Sequence, residues 1–244
     1  MIRRQIPNII TLGNLLCGVI AIIAAANGAL PEAAVFICLG IFLDFFDGLA
    51  ARLLGVASPL GKELDSLADV VTSGVAPGVI LLFLLQWGNP LISNLGLLAL
   101  LMPLFAAYRL AKFNLDTRQS HSFLGLPVPA NALIWVGLAF YAVPFGYCPC
   151  GICEGLNPLF QNNYFLIALI VVSLITDVLM VTEMPMFSLK FNFKDMSWKS
   201  NSVQYLFLIG CVAIVAVTRQ WYAISLIILW YIFLSAITQK KHAE

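Results

Sequence analysis

The chain has 244 residues, of which 61% are hydrophobic and 10% are charged, and its mean hydropathy is +0.95. Soluble domains of this length carry far more charge, so the composition excludes an ordinary soluble enzyme or binding domain. The net charge of +1 gives no basic surface for a nucleic-acid partner. We therefore expect a membrane protein with several spans.

Apolar stretches long enough to span a membrane occur repeatedly along the chain. About 20 apolar residues in a helix cross a hydrocarbon core of roughly 30 Å. In chain order, the predicted spans cover residues 9–28, 31–54, 59–87, 90–115, 126–145, 163–181, 203–218 and 221–238. The fold class that follows is all-α, a polytopic membrane bundle of about eight transmembrane helices.

The lysine and arginine residues predict the orientation of these spans, because cytoplasmic loops are enriched in positive charge. With the N-terminus in the cytoplasm, Arg219 is the one member of the 13 basic residues that falls outside. We expect a multi-pass protein of the cell (inner) membrane with both termini on the cytoplasmic side. A signal peptide is the alternative for the first span, since Arg3 and Arg4 precede it. Its removal would leave an odd number of spans and spoil the charge asymmetry.

A fixed pattern of charged and small residues interrupts the second and third spans. Charge in hydrocarbon is costly, so such residues normally face a cavity and mark a functional site. The pattern consists of Asp44, Asp47, Gly48, Ala51 and Arg52, followed by Gly61, Asp65 and Asp69.

Helical geometry places this pattern on two facing stripes. At 100° per residue, its members on the second helix fall within an arc of about 140°. Those on the third helix recur every four residues and form one stripe. Counting about 1.5 Å per residue from the cytoplasmic ends, Asp44 is level with Asp69, and Asp47 with Asp65.

Four carboxylates in such a small space repel one another unless cations compensate their charge. Mg²⁺ or Mn²⁺ suits carboxylates that are supported by substrate phosphates, and two ions about 4 Å apart would clamp a phosphoryl centre. Arg52 is placed to bind another phosphate oxygen. An ion-coupled transporter is the alternative from another functional class, because intramembrane aspartates also serve as ion relays.

The pattern from Asp44 to Asp69 matches, at every position, the signature of the CDP-alcohol phosphatidyltransferase family of membrane enzymes. The resemblance implies a six-helix core, usually as a homodimer, with a site that opens to the cytoplasm. It implies transfer of a phosphatidyl group from a CDP-linked lipid to an alcohol, with release of CMP. We expect residues 1–200 to form the core with an N-terminal interfacial segment, and residues 201–244 to add two transmembrane helices and a short cytoplasmic tail.

Other stretches resemble the phosphatidylserine synthase branch of this family, which implies CDP-diacylglycerol and L-serine as substrates. Glycerol 3-phosphate and inositol compounds are the alternative acceptors. The branch often has arginine where Lys112 stands. Lysine keeps the positive charge but cannot make the paired hydrogen bonds that a guanidinium makes to a carboxylate or phosphate. The stretches are Asn8, Thr11 and Asn14 in the first span, residues 109–114, residues 125–129, and residues 179–190.

The family resemblance assigns a role to each motif residue. It makes Asp44, Asp47 and Asp65 metal ligands. It makes Asp69 the general base and a further metal contact. The residues expected to bind the CDP and diphosphate part of the donor are Gly48, Ala51, Arg52, Gly61, Thr11 and Asn8.

The acceptor pocket is predicted from the charge of serine, whose carboxylate requires a cation. Arg109 and Lys112 lie three residues apart near the cytoplasmic face and are the candidates, together with Asn114. The alternative is that the two basic residues anchor lipid phosphate. Asp177 either borders the site or pairs with a loop lysine.

Three cysteines cluster after the fifth span, on the predicted outer face. Cys148, Cys150 and Cys153 are compatible with a disulfide inside the loop or with a zinc site, and the sequence leaves both open.

Overall fold

The computed structural model describes residues 5–89, 92–115, 125–144, 155–187 and 201–240. Cys148, Cys150 and Cys153 lie outside these ranges. The α-helices in the described part of the chain are α1 (Gln5–Ala26), α2 (Leu30–Leu53), α3 (Pro59–Asp69), α4 (Ala76–Gly88), α5 (Leu101–Leu115), α6 (Val128–Ala142), α7 (Asn163–Val181), α8 (Ser202–Thr218) and α9 (Ala223–Lys240). A π-helical segment (Val70–Val75) joins α3 to α4, and 3₁₀ segments (Ser93–Leu100 and Pro158–Gln161) precede α5 and α7.

The helical bundle predicted from the sequence is confirmed. Each predicted span coincides with a helix or a continuous run of helices. Within the described ranges, five helical stretches are long and apolar enough to cross a membrane: Gln5–Ala26, Leu30–Leu53, Pro59–Gly88, Ser93–Leu115 and Asn163–Val181. The remaining predicted spans correspond to the shorter apolar helices α6, α8 and α9.

The first helix begins earlier than the hydropathy indicates. It starts at Gln5, about one turn before the predicted residue 9, so Asn8 lies within α1. Pro7 is compatible with this start because the first turn of a helix needs no intrahelical N–H donor. Hydropathy misses this turn because Gln5, Pro7 and Asn8 outweigh the apolar Ile6.

The third span changes its helical type at the motif. Its backbone is α-helical up to Asp69 and π-helical over Val70–Val75, and then returns to α. Because of this change, the periodicity of 100° per residue holds for the motif but not for the turn that follows it. At the start of the same span, the Ser58 hydroxyl caps the helix by accepting a hydrogen bond from the Gly61 backbone N–H at 3.0 Å.

Three elements meet tightly around Thr72 of the π-helical segment. A Cβ atom on Gly18 of α1 would lie 2.8 Å from the Thr72 Cα, and one on Gly40 of α2 would lie 2.8 Å from Asn14 Oδ1. Atoms this close require glycine at both positions. The glycines allow α1 and α2 to approach the π-helical segment at one level in the bundle.

The last two helices join the bundle through α9. Ser225 Oγ donates to the Ile134 carbonyl of α6 at 2.6 Å, and Gly137 allows the close approach. Helix α8 has no buried residue along its described length and contacts α9. The division of the chain at residues 200 and 201 stays a prediction.

Candidate active site

Three of the four motif acids come together where α2 and α3 face each other. Asp44, Asp47 and Asp65 each offer one carboxylate oxygen, and these oxygens lie within 4.8 Å of one another. The Asp44 and Asp65 carboxyl groups are within hydrogen-bonding reach of each other. We call these three residues the acidic cluster.

The fourth acid, Asp69, lies next to this cluster and is bound by α1. Its Oδ1 accepts a hydrogen bond from Asn14 Nδ2 at 3.3 Å, and its charge lies close enough to interact with those of Asp44 and Asp65. Helix depth predicts that Asp44 lies level with Asp69 and Asp47 with Asp65; the structure brings Asp47 and Asp65 together and places Asp44 in the same cluster. Helix α3 packs mainly against α1 rather than along α2, and Asp69 is accordingly bound by Asn14 of α1.

Thr11 of α1 fixes another of the acids. Its hydroxyl donates a hydrogen bond to Asp47 Oδ2, and both side chains are buried. A hydrogen bond of this kind orients a ligating carboxylate and holds it in place. Thr11 was predicted only as a contact for the donor substrate, and the structure adds this contact with Asp47.

A cavity of about 300 Å³ adjoins the acidic cluster. It opens between α1, α2, α3 and the link from residue 56 to residue 58. Asp47 and Asp65 lie on its wall, so the cavity and the cluster share two acids. The structure thus brings together the residues predicted to bind the CDP part, and adds Pro7 and Lys62: the lining includes Asn8, Thr11, Gly48, Ala51, Arg52 and Gly61.

Gly48 of the motif keeps this cavity open. A Cβ atom on Gly48 would have the Arg52 Nη2 atom as its neighbour at 4.0 Å, so Gly48 leaves free volume rather than a tight contact. Arg52 Nε donates to the Gly48 carbonyl at 3.0 Å, which lays the guanidinium along the wall. A phosphate group bound in the cavity would therefore meet a cation.

The candidates for the acceptor pocket occupy three different environments. Arg109 is 8% exposed and close enough to Asp69 for their charges to interact, and its Nε has no hydrogen-bond partner among the described residues. Lys112 Nζ instead pairs with Glu183 Oε1 at 3.1 Å. Asn114 Nδ2 donates to Ser66 Oγ at 2.9 Å and so ties α5 to α3.

Two residues near the site were not assigned a role there from the sequence. The sequence links Asn14 to the phosphatidylserine synthase branch but predicts no contact for it in the site. Its spacing of three residues from Thr11 indicates that the two side chains share a helix face. Lys62 lines the cavity, and its Nζ donates to the Asn114 carbonyl at 2.9 Å.

Asp177 is buried on α7 beside Ser173, whose hydroxyl donates a hydrogen bond to it at 3.4 Å. It is not among the residues that line the cavity.

The acidic cluster fits a divalent cation. Its ligand atoms are all carboxylate oxygens, which Mg²⁺ and Mn²⁺ prefer. Asp65 Oδ1 is buried and has no hydrogen-bond partner in the described part of the chain, so it is an oxygen that a cation would satisfy. The donor set and its spacing therefore support a metal site at these three acids.

Comparison with known proteins identifies the family. The model of the CDP-alcohol phosphatidyltransferase family matches residues 4–174, which include the whole motif and the cavity wall. The chain belongs to the CDP-alcohol phosphatidyltransferase family. Helices α8 and α9 lie beyond the matched segment of this phosphatidyltransferase.

Several relatives of this phosphatidyltransferase carry the name CDP-diacylglycerol--serine O-phosphatidyltransferase. The protein of that name from Bacillus subtilis is 42% identical over 137 residues, which is 56% of this chain and 76% of the relative. The one from Methanocaldococcus jannaschii is 29% identical over 230 residues, covering 93% of this chain and 91% of the relative. An archaetidylserine synthase from Methanothermobacter thermautotrophicus is 30% identical over 133 residues, covering 52% and 54% of the two chains.

Substitution of Asp65 by asparagine tests the metal site. Asp65→Asn removes a charge and a ligand oxygen, so we expect the affinity for Mn²⁺ to fall by at least roughly tenfold. Electron paramagnetic resonance titration of the purified protein measures the free Mn²⁺. Glu63→Gln is the matched control, because it makes the same chemical change at an exposed position on the same helix. Equal affinities in the two variants would remove Asp65 from the metal site.

Proposed function

We propose that this chain is a phosphatidylserine synthase. It transfers the phosphatidyl group of CDP-diacylglycerol to the hydroxyl of L-serine and releases CMP, as a step of phospholipid biosynthesis. The observation that carries the proposal is the acidic cluster on the wall of a cavity that contains Arg52 and the small motif residues. The names of the relatives support serine as the acceptor.

The cavity is the proposed site for the CDP part of the donor. Gly48 leaves room for it, Gly61 allows the close approach of Asn8, and Asn8 and Thr11 offer polar contacts from α1. Arg52 binds the diphosphate by paired hydrogen bonds. Lys62, which the sequence interpretation did not include, adds a second cation at the same wall.

Asp44, Asp47 and Asp65 are the proposed metal ligands, with two Mg²⁺ or Mn²⁺ ions per site. When bound, these ions neutralise the carboxylates and the charge that develops on the diphosphate. Thr11 keeps the Asp47 carboxylate in one orientation through its hydrogen bond.

Asp69 is the proposed general base. Its carboxylate accepts the proton of the serine hydroxyl while the serine oxygen forms a bond to the lipid-side phosphorus. The bond from this phosphorus to the oxygen of CMP breaks, and CMP leaves with the bonding electron pair. Arg52 stabilises the negative charge that develops on the departing phosphate.

Arg109 is the better candidate for the carboxylate of serine. Its guanidinium is buried close enough to Asp69 for the two charges to interact, and its Nε has no hydrogen-bond partner among the described residues. The charge of Lys112 is instead compensated by Glu183. The Arg109 guanidinium therefore has a donor left for a carboxylate on the side of the proposed base, whereas Lys112 would have to leave its ion pair to bind one.

The membrane orientation and the assembly belong to the same proposal. The site faces the cytoplasm of the cell (inner) membrane, since Arg52 and Lys62 lie at the ends of α2 and α3 that the basic residues mark as cytoplasmic. Arg219 lies in the turn between α8 and α9, on the opposite side. A homodimer is inferred from the family resemblance alone.

A parallel acceptor assay tests the proposed function. Purified protein receives CDP-diacylglycerol, Mn²⁺ or Mg²⁺, and labelled serine, glycerol 3-phosphate or inositol in separate reactions. We expect metal-dependent CMP release and label in lipid with serine only. Incorporation of another alcohol without serine would overturn the acceptor assignment, and CMP release without any acceptor dependence would overturn the transferase.

Substitution of Arg109 separates acceptor binding from donor binding. Arg109→Gln removes the buried cation, so we expect the KM for serine to rise roughly 10- to 100-fold, the cost of a lost hydrogen bond to a charged group. The KM for CDP-diacylglycerol stays close to that of the wild type. Lys112→Gln, three residues away, is the control and changes the serine KM little. A larger effect from Lys112→Gln would reverse the assignment.

A further inference from the structure

Asn14 of α1 contacts the acid that the proposed function uses as the general base. We propose that Asn14 is a positioning residue, which holds one oxygen of the Asp69 carboxylate so that the other oxygen faces the acceptor hydroxyl. This inference rests on the proposed function, because it requires Asp69 to take the proton.

The contact between the two side chains defines their orientation. Asn14 is fully buried, and its Nδ2 donates to Asp69 Oδ1 at 3.3 Å. Its Oδ1 lies on the side of Gly40. A reversed amide would place two oxygens face to face, so only this orientation suits an ionised carboxylate. Asn14 holds Oδ1 of Asp69, and the inference assigns the proton to Oδ2, the oxygen that Asn14 does not contact.

The Asn14 backbone is fixed to the helical span that carries Asp69. Thr72 Oγ1 donates to the Asn14 carbonyl at 3.0 Å, and Thr72 is itself fully buried in the π-helical segment. Asn14 is thus tied to this span twice, by its amide at Asp69 and by its carbonyl at Thr72. With two hydrogen bonds to the same helical span, the Asn14 amide has little freedom to move away from the Asp69 carboxylate.

The packing around these ties supports the same interpretation. Gly18 and Gly40 bring α1 and α2 so close to Thr72 that a side chain at either position would collide with Thr72 or Asn14. The π-helical turn begins at the residue after Asp69 and presents the Thr72 hydroxyl to α1. Segments of this kind are rare and concentrate at functional sites. The local structure is therefore specialised to connect Asn14 with the base.

The chemical consequence concerns turnover rather than binding. A general base acts only when its oxygen lies within hydrogen-bond reach of the proton, and small misplacements are costly. The residues that line the donor cavity do not include Asn14. Loss of the amide is therefore expected to lower kcat and to spare the binding of CDP-diacylglycerol.

Asn14→Leu tests this inference, since leucine has a similar volume and no hydrogen-bonding group. We expect kcat with serine to fall roughly 10- to 100-fold, as for other residues that orient a functional carboxylate. The KM for CDP-diacylglycerol, the affinity for Mn²⁺ and the thermal midpoint stay close to those of the wild type. The solvent deuterium isotope effect on kcat increases, because proton transfer to a misplaced base becomes slower.

Two further variants control for structural damage. Thr72→Val removes the bond to the Asn14 carbonyl but keeps the bond from the amide to Asp69, so its kcat falls less and its isotope effect is unchanged. Asn14→Ala fits the same space without steric conflict and repeats the test if the leucine variant does not fold. A kcat near that of the wild type in Asn14→Ala or Asn14→Leu would overturn the inference. So would a loss that follows the folded fraction with an unchanged isotope effect.

Failure of this inference is distinguishable from failure of the proposed function. If the wild type uses an alcohol other than serine, the acceptor assignment fails and the same kcat comparison is made with that alcohol. If Asp69→Asn keeps a near-normal rate, the base assignment fails, and the role of Asn14 fails with it. If Asp69→Asn abolishes turnover and Asn14→Leu does not lower kcat, the Asn14 inference alone is wrong.

Discussion

Negative charge inside a hydrophobic bundle must be compensated nearby, and the arrangement of α1, α2, α3 and α5 follows from this constraint. Each motif acid has a polar or charged partner, or a place for one. Thr11 donates to Asp47, Asn14 donates to Asp69, and the charge of Arg109 lies close enough to interact with that of Asp69. In the acidic cluster, Asp65 Oδ1 is buried without a hydrogen-bond partner among the described residues, and a divalent cation would supply that partner.

The need to compensate buried negative charge also separates the donor side of the proposed reaction from its acceptor side. The donor side lies between α1, α2 and α3, where Gly48 leaves volume and Arg52 supplies charge. The proposed acceptor side lies towards α5, where Arg109 is buried near Asp69. Tyr231 of α9 donates to the Phe187 carbonyl at 3.2 Å, so α9, which lies beyond the segment matched by the family model, packs against the segment after α7.

Much of this arrangement could be predicted from the sequence, because hydropathy and helical periodicity are local properties. Span lengths follow from the thickness of the bilayer, and the shared face of Asp44, Asp47 and Arg52 follows from 100° per residue. Other features depend on three-dimensional packing. The hydrogen bond from Asn14 to Asp69 reflects the contact of α3 with α1, the Lys112 ion pair reflects the folding of the segment after α7, and the π-helical turn has no hydropathy signal. The roles of the individual site residues stay predictions.

The central claim is that Asp44, Asp47 and Asp65 hold a divalent cation against the diphosphate of the donor. Phosphorus electron-nuclear double resonance on Mn²⁺ bound to the purified protein, with CDP-diacylglycerol added, measures whether the ion contacts the diphosphate. We expect a phosphorus hyperfine coupling in the wild type and in Glu63→Gln, and its loss in Asp65→Asn. Bound Mn²⁺ without a phosphorus coupling, or an undiminished coupling in Asp65→Asn, would rule out this metal site.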